Sequence, residues 1–277
     1  MPRIAIIGTG MVGGALDRFF QIKGIHAGLF DPPKGHADAS VLDAADIIFI
    51  AVPTPYYLDG TGFDDSFLKA ALSHVPVTGK TVVLKSTILP GTTERLQSEY
   101  PMHRILINPE FLTESRVDAD MQRPQRQLLG TTAQSRDMAQ EVMDLLPRAP
   151  FERIMSATAA EMAKCVTNSF YALKVAYANQ LFDLCQKNGV DYEDLKVCIQ
   201  AEPWMGGEMH WEVIHKGYRG YGGKCLPKDV RMFVQHADAH GTDLSILKQA
   251  EAYNNDLIRS QGKDIQWEEG SPRKEGA

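Results

Sequence analysis

The chain of 277 residues is 44% hydrophobic and 23% charged, the balance of a globular protein with room for one large domain or two ordinary ones. A formal net charge of -6 and a pI near 5.8 argue against a nucleic-acid-binding surface, and no apolar run approaches the roughly 18–20 residues of a membrane span. Cysteines at 165, 185, 198 and 225 have neither disulfide-scaffold density nor zinc-ligand spacing, and the first strand begins too near Met1 for a secretory signal. The expectation is a reduced cytoplasmic protein without a metal.

Arg3-Ile4-Ala5-Ile6-Ile7 reads as a buried parallel strand. Gly8-Thr9-Gly10-Met11-Val12-Gly13 follows, then an apolar-periodic stretch from Ala15 to Phe20. In this G-x-G-x-x-G the first glycine makes the turn, the second admits a pyrophosphate and the third lets helix and sheet pack closely. A second strand, His26 to Phe30, ends at Asp31, 18 residues beyond Gly13. A carboxylate there accepts from the ribose hydroxyls of NAD and repels the 2′-phosphate of NADP, so NAD is the expected cofactor; the plainer alternative makes Asp31 a turn residue before Pro32-Pro33.

Further strands are predicted at Ile47 to Val52, Thr81 to Lys85, Ile105 to Ile107 and Gln127 to Leu129, the rhythm of a doubly wound Rossmann-type sheet. Three polar turns follow their carboxyl ends: Val52-Pro53-Thr54-Pro55, Ser86-Thr87 through Pro90-Gly91, and Asn108-Pro109-Glu110-Phe111-Leu112-Thr113-Glu114. Ligands of open α/β sheets bind at such ends.

From Ala157 to Asn188 the chain reads as one helix closed by Asn188-Gly189, roughly 45–50 Å long at about 1.5 Å per residue. Glu161, Lys164 and Asn168 fall on one face, at i, i+3 and i+7. Small and apolar residues on the rest of its surface predict that other elements cover it. Beyond Asp191 the pattern stays helical, with helices predicted at Leu195 to Gln200, Val230 to Ala239 and Leu244 to Ile258. The expected division is a nucleotide-binding domain over 1–154, a small helical domain over 155–260 and a disordered polar tail over 261–277.

Gly222-Gly223-Lys224-Cys225-Leu226-Pro227-Lys228-Asp229 stands apart from the rest of the second half. Glycines allow close approach to a ligand, Pro227 is expected to stiffen the turn, and Lys224 and Lys228 favour thiolate over thiol. A cysteine so flanked is a candidate nucleophile, since a structural cysteine takes apolar neighbours.

Taken together these runs resemble the UDP-glucose/GDP-mannose dehydrogenase family over about residues 1 to 258. The matching segments are Gly8 to Gly13, Val52 to Pro55, Ser86-Thr87 through Pro90-Gly91-Thr92-Thr93, Asn108 to Leu112, Glu161 through Asn168, and the Cys225 octapeptide. The resemblance implies oxidation of a nucleotide sugar, UDP-glucose before others, from primary alcohol to carboxylate by two hydride transfers to NAD, through a thiohemiacetal and a thioester on Cys225. It further implies that Asp229 manages protons and water, that Lys164 with Asn168 stabilises negative charge on the reacting oxygen, that Thr87 positions a water, and that Glu110 is a general base. Gly8, Gly10, Met11, Val12, Gly13, Asp31, Val52, Pro53, Thr54, Thr87 and Glu114 would hold the cofactor. The substrate would meet Glu110 through Glu114, Lys164, Asn168, Tyr221, Gly222, Gly223 and, less securely registered, Lys216.

Thr113 and Ser115 depart from the family's usual residues, which leaves substrate preference open. Only about 20 residues follow Tyr253-Asn254-Asn255-Asp256, too few for an α/β unit, so the resemblance is to a short form without the third domain. A second chain supplying that domain, and a homodimer through the long helix, are the expected partners. Two other readings stay open: a degenerate NAD- or nucleotide-sugar-binding protein, and a relative of the β-hydroxyacid dehydrogenases that oxidises once.

Overall fold

The computed structural model describes residues 2–205, 210–223 and 225–265. Residues 206–209, Lys224 and all but the first five residues of the expected tail lie outside them. Ile4–Ile7 (β1), buried at every position, leads into Met11–Ile22 (α1), whose Ala15, Leu16, Phe19 and Phe20 recur at helical spacing and face the core. Gly28–Phe30 (β2), Ser40–Ala44 (α2), Ile47–Ile50 (β3), Tyr56–Tyr57 (β4), Gly62–Phe63 (β5), Ser66–Ser73 (α3), Thr81–Leu84 (β6), Thr92–Glu99 (α4) and Arg104–Ile107 (β7) follow. Val117–Gln122 (α5), Arg126–Thr131 (β8), Ala139–Leu145 (α6) and Phe151–Ser156 (β9) complete the sheet region.

Seven strands lie in the order β2-β1-β3-β6-β7-β8-β9. Pairing is parallel except between β7 and β8, where Leu106 faces Thr131 and Ile107 faces Gly130 in antiparallel register. The sheet is therefore parallel-dominated and Rossmann-like, with one reversed strand that hydrophobic runs alone do not foretell. β9 was not foreseen either. As an edge strand, FERIMS is exposed at five of six positions and lacks the apolar run that marks a buried strand.

Ala157–Asn188 (α7) is a single helix of 32 residues, with the predicted bounds. Tyr192–Ala201 (α8), Ile214–His215 (β10), Tyr218–Arg219 (β11), Leu226–Ala239 (α9) and Ser245–Ser260 (α10) follow. The second half thus departs from all-helical by one small ladder, β10–β11, whose turn residues Lys216 and Gly217 take φ of 52° and 83°, as a two-residue hairpin demands.

The chain divides into two compact units. One comprises the chain up to Thr54 with Asp64–Lys164; the other comprises Pro55–Phe63 with the chain from Cys165 onward. The first is built on the sheet, with Ile6, Phe20, Phe49 and Leu129 in its core. Among the described residues of the second, one cluster surrounds Ala172, Tyr221, Val230 and Leu247 and another surrounds Ala178, Tyr192, Ile199 and Trp211. The β4–β5 ladder belongs to this second unit, where Gln235 Oε1 of α9 accepts from Phe63 N at 3.1 Å. Among the described residues no helix is long and apolar enough to cross a membrane.

Candidate active site

In the first unit the turn after β1 is shaped by sterics. Gly8 has φ of 88°, and a Cβ on Gly13 would stand 1.9 Å from the Gly8 carbonyl oxygen. Gly10 differs: a Cβ there meets nothing within 4 Å, so its backbone borders open space at the start of α1. A phosphate group bound at this turn would enter that space, beside the first amides of the helix. Met11 is exposed and Val12 partly buried on that first turn. Asp31, at the end of β2, accepts through Oδ2 from Thr9 N (2.7 Å) and Thr9 Oγ1 (2.8 Å). The ammonium of Lys34 lies 3.9 Å from the same oxygen and donates to Thr9 O. No local pattern marks this cation, whose charge opposes that of the Asp31 carboxylate.

The next two loops are tied together. Ser86 Oγ donates to Val52 O (2.6 Å) and accepts from Val52 N, while Thr54 Oγ1 donates to Thr87 O at 2.6 Å. Pro53 is exposed beside the buried Thr54, and Thr87 is partly buried.

After β7, Glu110 Oε2 accepts from Leu112 N at 2.7 Å and Oε1 pairs with Lys164 Nζ at 2.8 Å. Burial works to raise the Glu110 carboxyl, but Lys164, the Leu112 amide and Lys85 together hold it below its ordinary value. Phe111 is flanked by cations: Arg126 Cζ stands 3.8 Å from its ring centroid and Lys164 Nζ 5.6 Å. Thr113 N donates to Asp120 Oδ2, and Glu114 is exposed at the start of a short 3₁₀ turn.

Lys85 and Arg126 escaped the sequence reading. Lys85 Nζ, buried at the end of β6, donates to Asn108 Oδ1 at 2.5 Å, and burial pulls its ammonium down to about 8. Asn108 in turn donates to Gln127 Oε1 and Leu128 O, both at 2.7 Å. A lysine closing a predicted strand is the signal that was available. Arg126 had none, because only the reversal of β8 brings the strand's first residue to the edge where β7 ends.

In the second unit Cys225 immediately precedes α9, and Pro227 sits in that helix's first turn rather than in a loop. The expected stiffened turn is corrected to a helix start, where proline's missing N–H costs nothing. Cys225 and Cys198 are exposed, whereas Cys165 and Cys185 are buried. One turn into α9, Asp229 is 1% exposed and accepts from Asn168 Nδ2 at 2.5 Å. Lys228 Nζ stands 2.6 Å from its other oxygen, Oδ1, so that ammonium is engaged by Asp229. Lys224 lies outside the described residues.

Tyr221 is clamped by Asn254, whose side chain accepts from Tyr221 N (2.7 Å) and donates to Tyr221 O (2.9 Å). Tyr221, Gly222 and Gly223 line a small cavity of about 20 Å³ with Arg231 and Asn254. Lys216 stands apart on the exposed β10–β11 turn. The candidates therefore divide between the units: Thr87 and the Glu110–Lys164 pair beside Phe111 lie in the first, Asn168, Asp229 and Cys225 in the second. Helix α7 carries Lys164 and Asn168 one turn apart.

Comparison with known proteins covers most of these segments, the Gly8–Gly13 turn and Asp31 lying ahead of the matched family domains. Residues 34–146 match the NAD binding domain of the UDP-glucose/GDP-mannose dehydrogenase family, and residues 158–256 match its central domain. The chain is 34% identical over 242 residues to a UDP-glucose 6-dehydrogenase of Pseudomonas aeruginosa, across 78% of this chain and 50% of that protein. With one from Rhizobium meliloti it shares 32% over 237 residues, across 80% of this chain and 53% of the relative. The chain thus spans about half the length of these curated relatives. Among solved structures, a UDP-glucose dehydrogenase from Pyrobaculum islandicum superposes with a TM-score of 0.81 at 26% identity, covering 94% of this chain and 69% of that one. A 3-hydroxyisobutyrate dehydrogenase of Mycobacterium tuberculosis, at 16% identity and a TM-score of 0.72, covers 94% of each chain and is alike in fold.

Proposed function

Because the chain belongs to the UDP-glucose/GDP-mannose dehydrogenase family, we propose that it oxidises the primary alcohol of a nucleotide sugar, UDP-glucose before others, to the carboxylate with NAD. The observation that carries this reading is Cys225: an exposed thiol at the start of α9, with the buried Asp229–Asn168 pair one turn away. An enzyme that oxidises an alcohol once has no use for such a thiol.

The Gly8–Gly13 turn, Asp31, Val52 to Thr54 and Thr87 would hold NAD, which when bound supplies the hydride acceptor. Lys164, oriented by Glu110, stabilises the alkoxide oxygen as the first hydride leaves its carbon. Glu110, held ionised by Lys164, takes up a proton as the ammonium turns toward the reacting oxygen. The Cys225 sulfur then adds to the aldehyde carbon, giving a thiohemiacetal. Loss of a second hydride from that carbon, for which a second NAD would supply the acceptor, together with the hydroxyl proton, leaves a thioester on Cys225. Attack by a water that Asp229 helps deprotonate breaks the C–S bond, releasing carboxylate and restoring the thiol.

Glu110 to Glu114 and Tyr221 to Gly223 are the proposed sugar-nucleotide contacts. The proposal includes a homodimer through α7, where Met162, Val166, Phe170, Tyr177 and Leu184 are all 43% exposed or more. Their spacings of four and seven residues put them along one side of the helix, as an isologous contact requires.

The test is NADH formation from UDP-glucose, UDP-N-acetylhexosamines and GDP-mannose, with and without candidate partner proteins. Two NADH per sugar from UDP-glucose is the expected result. One NADH with aldehyde accumulating would favour single oxidation. NAD binding without turnover of any nucleotide sugar would favour a sensor.

A further inference from the structure

The face of α7 that bears Lys164 also bears Glu161, a carboxylate to which the reaction above gives no role. Glu161 is 2% exposed. Its Oε1 accepts from Thr93 N (2.8 Å) and Thr93 Oγ1 (2.6 Å), and its Oε2 accepts from Gly91 N (2.6 Å). These donors open α4, whose own N-cap, Gly91, has φ of 87° and no side chain with which to cap. The helix is therefore capped by a residue 70 positions away.

A local serine or aspartate would cap α4 without burying a long carboxyl. Burial is unfavourable enough to push Glu161 up to about 7, against the opposing hydrogen bonds from Thr93 and Gly91. What the distant residue adds is a link. The loop that ends at Gly91 begins at Ser86 and Thr87, which are tied to Val52 and Thr54. One turn beyond Glu161 on α7 is Lys164, paired with Glu110.

We propose that Glu161 is a positioning residue that fixes the loop bearing Thr87 to the helix bearing Lys164, so that cofactor-side and proton-handling groups keep one spacing. The inference rests on the functional reading above for its effect on turnover, but not for the clamp itself. Misplacement of about 1 Å in such a constellation costs on the order of 10²-fold in rate.

The experiment uses the full chain with Glu161→Gln, which keeps the volume but places an amide N–H₂ among donors, and Thr93→Val, which removes one donor and leaves two backbone amides. Thermal unfolding, hydrogen exchange, NAD titration and steady-state kinetics are measured on each. Glu161→Gln is expected to speed exchange about tenfold or more in peptides covering residues 86–93, and to weaken NAD about threefold to tenfold. It should lower kcat about 10- to 100-fold with the sugar KM within about twofold, a split that general destabilisation does not produce. Thr93→Val should shift the same quantities in the same direction by less.

Folded Glu161→Gln with wild-type exchange over 86–93, or with wild-type kcat and NAD affinity, would overturn the proposal. Exchange faster throughout the first unit instead of in that loop would do the same. Should Glu161→Gln not fold, Thr93→Val decides, and wild-type exchange and NAD affinity in that variant sink the idea. A wild-type protein that turns over no nucleotide sugar fails the functional reading alone, since exchange and NAD titration still test the clamp.

Discussion

The two units handle their reactive groups in opposite ways. In the first, Glu110 is ion-paired with Lys164, and Lys85 is hydrogen-bonded to Asn108, so that each side chain is held in place. In the second, the thiol of Cys225 is exposed while the groups behind it, Asp229 and Asn168, are buried and bonded. Under the proposed reaction the difference follows from what each would do. A group that stabilises developing charge works best when its orientation is settled before reaction, whereas a nucleophile must be reached by a carbon atom.

The comparison breaks most visibly at Cys225. Cys225→Ser preserves shape but supplies a poor nucleophile and, at the acyl stage, a far worse leaving group. Conversion to the acid is expected to fall on the order of 10³-fold or more while NAD affinity measured by calorimetry stays within about twofold. An aldehyde or a slowly hydrolysed ester adduct should then appear by intact-protein mass spectrometry. Lys164→Met tests the buried set. It leaves the Glu110 carboxylate without its main partner, so that carboxyl should titrate at higher pH, and turnover should fall about 10²- to 10³-fold. Unchanged kcat would show that the pair is structural.

The glycine turn sharpens the contrast between fold and function within one motif. Gly13→Ala meets the Gly8 carbonyl and should lower both thermal stability and NAD affinity. Gly10→Ala meets nothing in the protein, so its melting temperature should match wild type while NAD affinity drops about 10-fold or more. Equal NAD affinity for Gly10→Ala and wild type would move the phosphate site elsewhere.

The smallest expected effect lies in the second unit. His210 stacks on Tyr171 with centroids 4.2 Å apart, and burial, aided by Lys174, pulls its imidazole down to about 4. The unfolded chain binds a proton near the ordinary value of about 6.5 that the folded chain refuses, so stability is lost as pH falls from 6.5 to 4. His210→Asn, which tolerates the φ of 70° there, should flatten the melting temperature across that window. A slope unchanged by the substitution would assign it to other groups.

Legibility followed the range of the interactions. α7 was read with its observed bounds because 32 residues carry their own helical pattern and end at Asn188-Gly189. The tight turn at Gly8 and the close approach of Gly13 were legible because a glycine motif is local in sequence. The reversal of β8 was not, since strand direction depends on neighbours, and with it Arg126 was missed. The helix start at Leu226 was obscured by Pro227, which signals a break in mid-helix but is at home in a first turn. Glu161 was placed on the correct face, yet its partners lie 68 and 70 residues away.

The division of the chain bears on how the protein can be cut. Residues Pro55–Phe63 belong with α9, although they are strung between β3 and α3 of the other unit. No single scission separates the units. A fragment ending at Lys164 would take this hairpin with it and leave its aromatic residues Tyr56, Tyr57 and Phe63 without their packing surface. One beginning at Cys165 would leave Gln235 without the Phe63 amide it accepts from. Swapping modules between relatives therefore calls for transplanting 55–63 together with the downstream half, as two grafts instead of one splice.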